Sequence, residues 1–366
     1  MYRNNFLLKD CSYYDDTCLL VGMRDDRKYN YKTPMDGVLV DDLYSLSGKN
    51  FENSVKLDWP KPWSDDEDDF CFGIMGSASV NGILCLFTSH GHGTDWKLIL
   101  WNPSTNEFKA IPSSPAESKD FYAFGDVTLH HHLVGYDCIK DDYKVIRFID
   151  CDVDDYDFYF EPFFPFWEIY SLSSNLWREI DVDMPLFYHN ENDPLVSMDG
   201  VSHWWNKDET HTYLVSFDFS NESFTTTPIP SYIDDDSFMV RRDLVILNGS
   251  IAFILKYEMT STIHISILGE LGVKESWTKL FVVGPSPCLN YPIVAAKKGK
   301  ILFRSRDSPS KKRSRDKKQS KQEVVWFDLS TGMIDKIDVT TEISDSVSSI
   351  IMFHKESILP IGRIYN

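Results

Sequence analysis

The sequence has no CxxC pair. Its seven cysteines (Cys11, Cys18, Cys71, Cys85, Cys138, Cys151 and Cys288) are odd in number and scattered. That excludes a disulfide framework and a zinc site built from cysteine pairs. Cys85, inside "ILCLF", reads as a small buried hydrophobe. The opening "MYRNNFLLKD" lacks the apolar core of a signal peptide, and no apolar run approaches the length that crosses a bilayer. The expected compartment is therefore reducing, cytoplasm or nucleus. In such a compartment the sequons at Asn221 and Asn248 go unused. Positive charge is scarce: 37 Lys and Arg stand against 56 Asp and Glu, a net charge of −19. Such a surface repels phosphate backbones, so nucleic acid is a poor partner. There is no P-loop, no dinucleotide glycine fingerprint, no HExxH and no GxSxG, so no enzymatic function has positive support and no cofactor is expected. A long helical period is missing as well.

What is present is a repeat. "WNPSTNEF" from Trp101 can be laid beside "YSLSGKNF" from Tyr44, "YSLSSNLW" from Tyr170, "FDFSNESF" from Phe217 and "FDLSTGMI" from Phe327. Each opens with an aromatic, carries Ser three positions later (Ser47, Ser104, Ser173, Ser220, Ser330) and closes seven positions later on a large apolar residue. A sixth, degraded copy is "ILGELGVKESW", Ile267 to Trp277. An aromatic strand end, a polar turn and a second strand make a hairpin. Asn102-Pro103 suits the first two positions of a type I turn, and a Ser hydroxyl there is expected to accept from a backbone N–H about two residues on. A nucleophile is needed once, whereas a turn is needed in every repeat, so Ser104 reads as structural.

A second element precedes several hairpins. "NGILCLF" at Asn81, "DGVSHWW" at Asp199, "NGSIAFIL" at Asn248 and "KGKILFRS" at Lys298 each join a tight-turn signal to a strand. His203 then reads as a satisfied strand residue rather than a ligand. The third unit carries "GYDCIKDDYKVIRF" here, a strand, an Asp-rich turn and a strand. Units of about 50 to 70 residues with several short strands predict a radial β array. The expected fold is all-β, a kelch-like β-propeller of six blades, each a four-stranded antiparallel sheet, forming a single domain over 1–366. "SIIMFHKESILPI", 349 to 361, should complete the first blade and close the ring, since exposed end strands invite association. "CSYYDDTCLLVG" and "DGVLVDD" fit either end of the chain.

Three segments depart from the repeat. "WSDDEDDF" (63–70) is acidic. "DCDVDDYDFYFEPFFPFW" (150–167) mixes carboxylates with aromatics; Asp152, Asp154, Asp155 and Asp157 lack the glycine of a calcium loop. Its Phe158, Tyr159, Phe160, Phe163, Phe164 and Phe166 are candidates for binding a target protein, against the plainer reading that they cover a blade. The segment 304–322 is basic, without hydrophobic period, and reads as a disordered loop between two strands. Within it Lys311, Lys312, Arg313 and Arg315 form a candidate nuclear-import signal, against the plainer reading of a solvated loop. His130-His131-His132 and His90-x-His92 lack a nameable third metal ligand, so no metal is expected.

The order of Asn81-Gly82, Trp101-Asn102-Pro103-Ser104-Thr105, Gly135-Tyr136-Asp137 with Asp142-Tyr143-Lys144-Val145, and Tyr170-Ser171-Leu172 to Trp177 resembles the plant F-box-associated interaction domain. It is similar to kelch-type F-box proteins of legumes, relatives of the S-locus F-box proteins, over nearly the whole chain. The resemblance implies a non-catalytic substrate receptor of a Skp–cullin–F-box ubiquitin ligase, whose N-terminal F-box docks on the Skp adaptor while this domain holds the target. Residues 1–20 resemble the segment that follows an F-box, so Skp and cullin are expected partners only where an F-box lies upstream. The alternatives are an F-box-less copy with no ligase role, and a propeller enzyme using the central cavity.

Overall fold

The computed structural model describes residues 17–25, 38–48, 51–61, 70–90, 97–117, 126–152, 165–182, 195–208, 211–234, 239–296, 299–306, 322–337 and 347–361. Twenty-five strands lie within them. The first are β1 (Thr17–Asp25), β2 (Val38–Val40), β3 (Asp42–Ser47) and β4 (Asn53–Leu57). The second unit holds β5 (Phe70–Val80), β6 (Ile83–His90), β7 (Lys97–Asn102) and β8 (Glu107–Ala110); the third holds β9 (Asp126–Asp137), β10 (Asp142–Asp152), β11 (Phe166–Ser171) and β12 (Leu176–Ile180). The fourth holds β13 (Val196–Met198), β14 (Val201–Lys207), β15 (Thr212–Asp218) and β16 (Ser223–Pro228). The fifth holds β17 (Val240–Leu247), β18 (Ser250–Tyr257), β19 (Thr262–Ile267) and β20 (Thr278–Val283). The last holds β21 (Leu289–Ala296), β22 (Lys300–Arg306), β23 (Gln322–Asp328) and β24 (Ile334–Ile337), followed by β25 (Val347–Lys355). Helix among the described residues is confined to 3-10 turns, 115–117 and 274–276 among them.

These strands form six antiparallel sheets, the blades of a β-propeller. Five have four strands; the second gains a fifth because β2 pairs with β5, Val38 opposite Ile74. That places "DGVLVDD", which the sequence left open. The first blade has the order β25-β1-β3-β4, so the last described strand lies beside the first, from Thr17 opposite Lys355 to Asp25 opposite Val347. No polar strand edge is left where the ring meets itself.

The core is divided among the blade interfaces. Leu20, Leu84 and Trp101 pack between blades 1 and 2; Cys85, Val145 and Tyr170 between 2 and 3; Ile146, Trp167 and Phe217 between 3 and 4. Leu214 meets Phe253 and Trp277 between 4 and 5, Val245 meets Phe303 between 5 and 6, and Leu19 and Phe353 meet Leu302 between 1 and 6. An open fan of six blades has five interfaces. The sixth cluster closes the ring.

The turns follow the sequence signals, with one revision. Asn81-Gly82, Asp199-Gly200 and Asn248-Gly249 all have positive φ (50° and 82°, 53° and 79°, 49° and 72°), the conformation of two-residue hairpins whose twist matches the strands. In the aromatic repeat, however, the cap comes from the residue two before the Ser. Asn102 Oδ1 accepts from Ser104 N (3.0 Å), Asp218 Oδ1 from Ser220 N (2.8 Å) and Asp328 Oδ1 from Ser330 N (2.8 Å). A carboxamide or carboxylate oxygen accepts from the amide two residues on, so these are Asx turns. In blade 3 the corresponding residue is Ser171, and Asp142 of the neighbouring strand caps Ser173 N instead (2.8 Å). Blade 1 also departs: Ser47 ends β3, and Phe51, at φ 59°, leaves the hairpin and packs on Trp326 and Phe353 between blades 1 and 6.

Candidate interaction faces

Because strands alternate in direction, the connections divide between two faces. The Asn-Gly turns and the Asx turns lie on one, here the turn face. The connections between second and third strands, and those between blades, leave from the other. Segment 153–165 joins β10 to β11 and segment 307–321 joins β22 to β23, so both start and end on that second face. Strand pairing runs further than the sequence indicated, to Asp152 opposite Asp126 and to Arg306 opposite Gln322. Phe158, Tyr159, Phe160, Phe163 and Phe164 lie outside the described residues, as do Lys311, Lys312, Arg313 and Arg315. Phe166 is described: it is part-buried, opens β11 and sits opposite Ile149. Residues 63–69 of the acidic segment, Asp154, Asp155, Asp157 and His92 also lie outside. His203 is buried on β14, its Nδ1 2.8 Å from Ser216 Oγ, a satisfied strand position. Among the described residues no three His, Cys, Asp or Glu side chains are grouped to hold a metal.

The buried charges of blade 3 form contacts within and between blades. Lys144 Nζ donates to Asp137 Oδ2 (2.7 Å), to Glu222 Oε1 (2.7 Å) and to the Phe219 carbonyl (2.9 Å). The last two belong to the Asx turn of blade 4. Burial pushes the Asp137 carboxyl upward, but the Lys144 ammonium and the Lys140 backbone N–H outweigh it and hold it at about 2. The Phe219 ring lies over Gly135, where an added Cβ would meet it at 2.1 Å. The "GYD…DDYK" signature is thus a socket for the turn of the next blade. Beside it, Arg147 is bound to Glu168 (2.6 Å) and Glu117, and its guanidinium lies 4.2 Å from the centre of the Trp177 ring. Burial raises the Glu168 carboxyl despite this pairing.

After β25 the chain crosses the turn face as a strap. Asn102 Nδ2 donates to the carbonyls of Ser357 (2.9 Å) and Leu359 (3.0 Å), and Ile361 N donates to Glu107 Oε2 (3.0 Å). Ile361 is buried between blades 2 and 3. Gly82 lies beneath the strap, where a Cβ would stand 2.5 Å from Ser357 Cβ. Sequence reasoning found the motif around Asn102 but not its partner, about 255 residues away.

Strap and hairpins border a half-open cavity of about 430 Å³. Asn81, Tyr136, Asp141 and Tyr143 of blades 2 and 3 line one side, and Lys355, Glu356, Ser357, Leu359 and Pro360 line the other. The tyrosine rings are 5.0 Å apart at 54°, and the Tyr136 hydroxyl donates to Asp141. Burial, with Asp141 nearby, pushes the Tyr143 phenol up to about 12, so it stays protonated.

Comparison with known proteins bears on the whole ring. Residues 38–358 match the family profile described as "F-box associated beta propeller domain". F-box protein CPR1 of Arabidopsis thaliana is 26% identical over 306 residues, covering 75% of this chain and 67% of that protein. F-box protein At4g22390 of the same plant is 23% identical, covering 78% and 70%. Four further Arabidopsis F-box proteins align over only 38–50% of their own length. Among solved structures, a chain of the nidogen/laminin complex aligns at TM-score 0.44 and 9% identity, covering 93% of this chain and 100% of that one. Likenesses of this depth carry no functional argument.

Proposed function

Because the chain belongs to the F-box-associated β-propeller family, we propose that it is a non-catalytic protein-binding module, the target-recognition part of a Skp–cullin–F-box ubiquitin ligase. The family match across 38–358 carries this reading. In such a ligase the chemistry occurs on the E2 enzyme, and the propeller needs only to hold a target. The buried charges Lys144, Asp137, Arg147 and Glu168 pair with one another or with neighbouring turns and so tie blades 3 and 4 together. Connections set on rigid blades are suited to recognition. The Skp adaptor and cullin would be engaged through an F-box joined upstream.

The test joins this chain to an intact F-box in plant cells, with proteomics in the presence and absence of a proteasome inhibitor. One or more proteins should accumulate on the fusion under inhibition and decline without it. A fusion assembled on Skp and cullin that changes no protein's turnover overturns the ligase role. For the cytoplasmic or nuclear placement, a fluorescent fusion carrying Lys311→Ala and Lys312→Ala should lose nuclear enrichment. An unchanged distribution removes the import signal.

A further inference from the structure

Among the described residues, three of the most exposed large apolar side chains lie on or within two residues of the lining of one cavity, and Leu359 is part of that lining. Ile139 is 75% exposed at the tip of the β9–β10 turn, and Ile358 and Leu359 are 88% and 69% exposed on the strap. Asp141, two residues beyond Ile139, lines the cavity together with Leu359. Exposed apolar residues grouped beside a concavity mark an interaction site more strongly than the same residues scattered. The position is rigid: Asn102 fixes the strap from beneath, and β9 and β10 are paired up to Asp137 opposite Asp142.

The lining identifies what the cavity would accept. Two carboxylates, Asp141 and Glu356, face one ammonium, Lys355. The half-buried Tyr136 ring, packed on the buried Tyr143, lies in the same lining, and an aromatic face attracts a cation. The chain's net charge of −19 adds a long-range field that draws positive groups toward it. A volume of about 430 Å³ accommodates a long side chain with its adjoining backbone.

We propose that this cavity on the turn face is the anchoring pocket for a target protein. It takes an arginine or lysine side chain against Tyr136 and Tyr143, with apolar neighbours of that side chain on Ile139, Ile358 and Leu359. The identification of the occupant as a target rests on the receptor reading above; the cation preference does not. The proposal moves the primary contact away from segment 150–167, which leaves from the opposite face.

The experiment is a methyl-NMR titration of the full chain, following the isoleucine δ1 signals of Ile139 and Ile358. The probes are N-acetyl-arginine amide, its neutral isostere N-acetyl-citrulline amide and N-acetyl-glutamate amide. The arginine probe should give saturable shifts, with the citrulline probe weaker by about tenfold and the glutamate probe weaker still; a tenfold change corresponds to about 1.4 kcal/mol. Asp141→Asn combined with Glu356→Gln should weaken the arginine probe by about tenfold. Both replacements keep side-chain shape, and Asn tolerates the positive φ of 56° at position 141. Lys355→Gln should act in the opposite direction and tighten binding. Equal shifts from arginine and citrulline, preference for the glutamate probe, or no saturable shift overturn the proposal. Target capture that survives in the double variant also overturns it, while leaving the receptor reading intact. Failure to capture any target strikes the receptor reading alone, and the titration still decides the pocket.

Discussion

Asn102 in blade 2 and Asp218 in blade 4 occupy the same place in the repeat, one residue after a fully buried aromatic and two before the Ser of the turn. Both cap their turn through Oδ1. They differ in the second atom. Asp218 Oδ2 accepts from Asn221 Nδ2 (2.8 Å) inside its own turn. Asn102 Nδ2 donates outward to two strap carbonyls. A carboxylate has nothing to donate, so only the amide can close the turn and also hold the strap. The choice between Asn and Asp at a turn that either would make is therefore settled by what crosses it. In blade 2 that is the end of the ring.

The largest effects should come from what the two positions share. Trp101 and Phe217 are both buried between blades. Trp101→Ala and Phe217→Ala should each cost about 3–5 kcal/mol, read from denaturant or thermal unfolding. A melting temperature equal to that of the parent for either variant breaks the equivalence. Next is what they do not share. Asn102→Asp sets a carboxylate against two carbonyls at a site with no solvent exposure, and should cost about 3 kcal/mol. It should also speed exchange of the Ile361 amide, which the strap positions. Asp218→Asn should cost under about 1 kcal/mol, because the Asn221 amide can turn its oxygen toward the new donor. Equal losses from the two exchanges would refute the distinction.

Much of this fold is legible in the residues. The aromatic–Ser repeat counts the hairpins, the Asn-Gly pairs mark the type I′ turns, and residues 349–361 announce ring closure because an exposed end strand invites association. Those are local patterns, carried by φ preference and by strand periodicity. What was not legible involves contacts distant in sequence. Gly135 looks like an ordinary strand glycine until the Phe219 ring is seen above it. Lys144 looks like a strand lysine until its partners appear in the next blade. The hydroxyl of Ser104 was assigned the cap because Ser repeats, yet the Asx residue before it carries the cap in three blades. The cavity beneath the strap is invisible for the same reason: its two sides are some 200 residues apart in the chain.

The comparison also predicts where acid acts. Cys85 opposite Leu100 in blade 2 corresponds to His203 opposite Ser216 in blade 4. Burial lowers the His203 imidazole to about 4. An unfolded chain takes up this proton near pH 6.5, whereas the folded one does so only near 4. Stability is therefore lost as pH falls through that window, by about 3 kcal/mol at pH 4. Asp243 acts with the opposite sign: burial, outweighing the nearby Arg241 and Lys256 charges, lifts its carboxyl to about 6, so the folded state gains a proton as pH falls below that. Comparing His203→Gln with the parent isolates the histidine. The variant should lose less stability than the parent between pH 6.5 and 4, and parallel pH profiles would contradict the burial effect.

The smallest effect tests the Asx assignment itself. Ser104 is exposed, and the turn uses its backbone N–H, a group that alanine retains. Ser104→Ala should therefore change stability by less than about 0.5 kcal/mol, the range of a surface substitution. Had the hydroxyl capped the turn, the loss would be about 1 kcal/mol. Ser330 supplies the control in blade 6, because its Oγ donates to Asp328 Oδ1 at 2.5 Å as well as its N–H at 2.8 Å. Ser330→Ala removes a charge-assisted bond and should cost more than Ser104→Ala, though solvent exposure keeps the loss small. The two sites share a sequence motif and differ in where the hydroxyl points and in the charge of the capping residue, Asn102 against Asp328. A ranking with Ser104→Ala the costlier would return the cap in blade 2 to the serine side chain and remove the Asx turn as the common element of the repeat.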